Sequence, residues 1–117
     1  MIEELVAKVF CTRDCAHLSH WKTRCFSEHM ALGSFYEDVI ESIDKFVEAH
    51  QGAYGKQIDE VKLSNKMSDV LSCLRSDAEW ISKNRETLCD GIPALENILD
   101  DLVGIYLSTI YKMEFLK

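Results

Sequence analysis

Three of the four histidines in this chain fall close together, in the segment His17-Leu18-Ser19-His20-Trp21 and at His29. Imidazole is the side chain that most readily trades protons near neutrality or binds a transition metal. His17 and His20 are three residues apart, so on a helix they share a face. If the chain reverses between residues 24 and 25, His20 and His29 lie equally far from the turn and face each other on antiparallel helices. Facing imidazoles can ligate a divalent metal through neutral nitrogens. They can equally be a core pair, hydrogen-bonded to backbone or water.

A second group of candidates is acidic. Glu37, Glu41, Asp44 and Glu48 follow His29, and Asp44 and Glu48 are i, i+4, a spacing that lets two carboxylates reach one ion. A solvated helix face explains the same pattern. His29 and Asp44 are separated by about 22 Å along one helix, at 1.5 Å per residue. A site using both therefore requires Asp44 and Glu48 from a second, antiparallel copy. Cys11 and Cys15 are also i, i+4 and could chelate zinc with Cys25 or a histidine. On a helical wheel they lie nearly opposite His17 and His20, so they read as buried or half-buried thiols. Trp21 and Trp80 read as packing or interface residues. The chain carries no Gly-rich phosphate loop, nucleophile elbow or C-x-x-C motif.

Four helical segments would have to position these side chains. The first is expected from Ile2 to about Arg24, with Ile2, Val6, Val9, Phe10, His17, His20 and Trp21 in one stripe and Arg13 fitting it badly. The second, about Glu28 to His50, carries Leu32, Tyr36, Val39, Ile40, Ile43, Phe46 and Val47, with His29 on its inner stripe and Gly52 as its C-terminal cap. Residues 53–63 read as a connection or the lead-in to the third helix. That helix is expected to start at Ser64 or Asn65, with Met67, Val70, Leu71, Leu74, Ala78 and Ile81 as its stripe. Cys89-Asp90-Gly91-Ile92-Pro93 stops it. A fourth helix then runs to the C-terminus through Leu95, Ile98, Leu99, Leu102, Val103, Ile105, Tyr106 and Ile110.

Composition agrees with this reading. The 117 residues, 47% hydrophobic and 28% charged, suit one soluble domain. One proline and five glycines leave too little turn punctuation for a strand-rich fold, so the expected class is all-α. A formal charge of −7 repels phosphate backbones, and no two basic residues are adjacent, so direct nucleic-acid binding is not expected. No apolar run approaches a membrane span, and the acidic, amphipathic start MIEELVAKVF is unlike a secretory signal. Five cysteines, an odd number, suit reduced thiols and a cytoplasmic location.

Taken together, His17-x-x-His20-Trp21, Ala31-Leu32 after His29, Asp44-x-x-x-Glu48 and a terminating glycine resemble the first helical hairpin of the Dps-type ferritins. Residues 99–116 loosely resemble that family's last helix. The resemblance implies a ferritin-like four-helix bundle that forms a homodimer or larger oligomer and oxidises and stores iron. Its ferroxidase centre would lie across the dimer interface. Carried over residue by residue, the metal ligands would be His20 and His29 of one subunit and Asp44 and Glu48 of its partner, with His17 and Trp21 just outside. The sequence departs from that family in several places. His20 and His29 are closer than the family's two histidines, and Gly33 replaces an acid. The chain is also shorter, lacks a basic N-terminal tail, and has only a brief segment where a small helix supports the dimer. These departures motivate an alternative expectation: the same helical bundle without metal, acting through exposed helix faces as an interaction or structural module.

Overall fold

In the computed structural model, which describes residues 1–64, 66 and 68–117, the chain is all-α. Among the described residues there are five helices and no strand: α1 (Ile2–Lys22), α2 (Phe26–Tyr54), α3 (Val70–Lys83), α4 (Arg85–Cys89) and α5 (Pro93–Phe115). Pro93 begins α5, where its missing N–H costs nothing and its fixed φ suits the first turn. Asp69 caps α3 by accepting the backbone N–H of Ser72 at 3.0 Å. At the end of α2 it is Gly55, with φ of 65°, that takes the left-handed cap conformation. Gly52, expected to cap, lies inside the helix.

α1 packs on α2 and α3, α5 packs on the same two helices, and α4 lies against α5 and the end of α3. Thr23, Arg24 and Cys25 make the turn between α1 and α2. Asp69, Val70 and Leu71 line one cleft with Ser19, Thr23, Leu32 and Met113, so α3 starts at this hairpin end and runs parallel to α2. The connection over residues 55–69 therefore has to travel back almost the length of α2, roughly 36 Å at helical rise. Fourteen helical steps cover only about 21 Å, whereas extended chain covers the distance with ease. This is why the expected start at Ser64 is not found and the cap is at Asp69. Asn65 and Met67, two residues of that expectation, lie outside the described residues.

The core joins Leu5 and Val9 of α1, Leu32, Phe35, Val39 and Phe46 of α2, Leu74 and Ile81 of α3, and Leu95, Leu99, Leu102 and Tyr106 of α5, each with at most 1% of its surface exposed. In the second half of α1 the buried face is Thr12, Cys15 and Ala16, not the expected His17, His20 and Trp21. Small side chains there let α3 approach closely. The larger, half-polar rings turn to the seam with α2, and Trp21 stands 68% exposed.

Candidate functional site

The tight turn after α1 brings His20 and His29 ring to ring, with centroids 3.7 Å apart and planes inclined by 17°. Each ring also reaches the other residue's backbone: His20 Nδ1 lies 2.6 Å from the carbonyl of His29, and His29 Nδ1 lies 2.8 Å from the carbonyl of His20. Carbonyls only accept, so both Nδ1 atoms carry the hydrogen and donate. The His20 carbonyl belongs to the last turn of α1, where helical carbonyls lack an i+4 partner, so the bond from His29 fills a vacant acceptor. Thr23 tightens the turn by donating its hydroxyl to Glu28 at 2.8 Å and accepting the N–H of Cys25 at 3.2 Å.

Gly33 makes room for this arrangement. A Cβ built there would stand 3.0 Å from Cε1 and 3.3 Å from Nδ1 of His20. The glycine lets the imidazole lie against the backbone of α2. His17 stacks on Tyr36 at 4.0 Å and 13°, and Trp21 leans on His17 at 4.6 Å. The result is a band of rings along the α1–α2 seam, half-buried at His17, His20, His29 and Tyr36 and exposed at Trp21.

With Nδ1 committed in both histidines, Nε2 is the nitrogen left in each for a proton or a metal. An imidazole binds a metal in its own plane, about 2 Å from nitrogen. Two nearly parallel planes 3.7 Å apart do not meet at that range, so one ion could be shared only if a ring left the stack. Asp44 and Glu48 lie on the exposed outer face of α2, remote from both rings. Among the described residues, no three histidine, cysteine or acidic side chains are placed to hold a metal ion. Within one chain the imidazoles come together and the carboxylates do not join them.

Two features were not singled out from sequence. The first is a buried polar trio: Asp77 of α3 accepts from the hydroxyls of Thr12 at 2.5 Å and Tyr106 at 2.8 Å. Burial pushes the Asp77 carboxyl above the usual carboxylate range, against the pull of the two hydroxyls and of Lys8. Beside it, Cys73 faces Cys11 and Cys15, and burial pushes its thiol up to about 11. The Cys11–Cys15 pair thus meets a cysteine of α3 rather than Cys25. The signal available in sequence was Asp77 itself, three residues after Leu74 and four before Ile81 on the apolar stripe.

The second feature is an apolar end. Phe26, Met30, Tyr111, Phe115 and Leu116 are all exposed at the hairpin end, with Phe26 at 77% and Phe115 at 71%. A shallow groove of about 340 Å³ between α2 and α5 is lined by Phe26, Ser27, Met30, Ala31, Ser34, Lys112 and Leu116. Large apolar residues lying off the helical stripes were the signal for it.

Residues 20–113 match a family of unknown function (DUF5856), and the chain belongs to that family. It is also similar to the "Uncharacterized 14.6 kDa protein in mobD-ri intergenic region" of Enterobacteria phage T4, with 23% identity over 100 residues, covering 81% of this chain and 73% of the phage protein. No solved structure matches. The resemblance to Dps-type ferritins is overturned by this membership. The His-x-x-His-Trp and Asp-x-x-x-Glu spacings are short enough to arise on any polar helical hairpin.

Proposed function

We propose that the chain is a helical binding module that acts by holding another protein at its apolar end. The observation that carries this reading is the group of exposed apolar side chains at the hairpin end, with Phe26, Met30 and Leu116 lining the α2–α5 groove and the stacked Tyr111 and Phe115 exposed nearby on α5. Contiguous apolar surface of this kind is uncommon on a soluble monomer unless something covers it. The test is selection from a displayed random-peptide library on the wild-type chain, with the double variant Phe26→Ser/Phe115→Ser as counter-selection. Peptides enriched on the wild type alone are the expected result. Equal recovery on both proteins would sink the reading.

For the fold beyond its all-α class, we propose a four-helix bundle with ferritin-like connectivity, α4 being an added turn. Its support is the long connection joining the parallel helices α2 and α3.

One observation favours a second reading, a metal site formed between two copies from His20, His29, Asp44 and Glu48. Both Nδ1 atoms donate to carbonyls, the outer support that metal-bound imidazoles commonly have, although one ring would have to leave the stack before both could hold one ion. Iron or another divalent ion would suit this mixture of imidazole and carboxylate, and Fe(II) oxidation would be the chemistry to assay. Metal analysis after anaerobic Fe(II) loading should then find iron that Asp44→Asn removes. A chain that elutes free of iron would refute this second reading.

A further inference from the structure

We infer that the outer face of α5 is a self-docking surface, on which two copies of this chain pair antiparallel with the Tyr111 ring of each seated in a hollow beside Gly104 of the other. This goes beyond the module reading, since it leaves the α2–α5 groove at Phe26 and Met30 open. At 100° per residue, Gly104, Leu107, Tyr111 and Phe115 fall within an arc of about 80° on the side of α5 away from the core. Leu107 and Tyr111 each expose more than half of their surface, and Phe115, stacked on Tyr111 at 5.7 Å, lengthens the apolar strip. A surface helix ordinarily turns polar residues to this side.

The face carries both halves of a joint. Tyr111, near its middle, is the projecting half. The receiving half is a hollow of about 250 Å³ on the α3 side, floored by the fully buried Ile81 and Leu99 and bordered by Val103, Gly104 and Leu107. A Cβ at Gly104 would meet nothing within 4 Å, so the hollow is open at the glycine. A two-fold axis perpendicular to α5 lays the face on its copy in the reverse direction, and residues equally far from the axis meet. With the axis between Leu107 and Ser108, Tyr111 of each copy comes to Gly104 of the other.

Charge selects the same register. Asp101 and Lys112 border the face on its α2 side, where each lines a cleft between α2 and α5. The perpendicular axis brings the α2 side of one copy to the α2 side of the other. Asp101 and Lys112 are centred one residue from the axis that joins Tyr111 to Gly104, so each aspartate lies opposite a lysine. On the α3 side, Arg85 and Arg75 already neutralise Asp100 and Glu114. A parallel pairing would instead set Asp101 against Asp101 and ring against ring. A ring and a hollow matched to each other on one helix favour a second copy over a partner of another sequence.

Sedimentation equilibrium on the full chain tests this. The wild type should dimerise, and Gly104→Gln, which fills the hollow, should weaken the dimer about tenfold while circular dichroism shows unchanged helicity. Tyr111→Ser, which removes the ring from the other side of the joint, should weaken it to a similar extent. Asp101→Lys should weaken self-association about tenfold, and adding Lys112→Asp should restore most of it. A wild type that stays monomeric at about 1 mM would overturn the inference. So would a dimer indifferent to Gly104→Gln, or a double charge variant as weak as the single one. A monomeric chain from which Gly104→Gln removes the library-selected peptides would show that a foreign segment takes the hollow, and would overturn it too. Peptide recovery on Gly104→Gln keeps the two readings apart, because Gly104 lines the hollow and not the α2–α5 groove.

Discussion

Asp77 has a burial that its side-chain type does not favour, with 6% of its surface exposed. An ionised carboxylate in such a place is tolerated only when hydrogen bonds replace its water. Thr12 and Tyr106 supply two, both to Oδ2. The carboxyl still holds its proton to higher pH than an exposed one, so the folded chain binds more protons than the unfolded chain just above the ordinary carboxylate pKa of about 4. Across that window this group's contribution to stability falls as pH rises, and it levels off above the raised value. Asp77→Asn removes the titration. The unfolding free energy of the wild type minus that of the variant, from urea titrations at several pH values, should be largest in acid and decline through the window. A difference independent of pH would contradict this account. The trio was hidden in the sequence because Thr12, Asp77 and Tyr106 lie on three helices, and no local pattern pairs them.

The α1–α2 hairpin was the most legible element. Counting residues from an expected turn placed His20 opposite His29, and the rings do face each other. What could not be counted was the seating of the imidazole against α2, which depends on Gly33 having no Cβ. Replacing a helical glycine by alanine ordinarily stabilises by about 1 kcal/mol. Here the added methyl has to displace the His20 ring and disturb its bond to His29. Gly33→Ala should therefore yield well under that gain in the wild type, and close to the full gain in a His20→Ala background. Chemical denaturation of the four proteins measures both steps, and equal gains in both backgrounds would remove Gly33 from the argument. Element ends were less legible. The two glycines near the end of α2 are locally alike, and only the path of the following chain makes Gly55 the one with positive φ.

At the scale of the whole molecule, the interior and the apolar end are separable. Phe26 and Phe115 contribute little to the core, so Phe26→Ser/Phe115→Ser should change the unfolding free energy by no more than about 0.5 kcal/mol per site. Thermal and urea denaturation check this, and a large loss of stability would mean that these rings serve the fold instead. The all-α class was settled by sequence alone, as were most of α2 and α5 and their core faces. Apolar residues recurring with the helical period, with few glycines or prolines between them, leave a chain little else to form. Tertiary structure decided the rest. The distance from Gly55 to Asp69 set by the length of α2 kept the described residues between them out of a helix. Close approach of α1 and α3 buried small residues and turned the histidines to a seam. Assembly of the ends of α2 and α5 left large rings outside. Periodicity reports which face of a helix is apolar, but which apolar residues find a neighbour depends on how many helices surround that face and where each one ends.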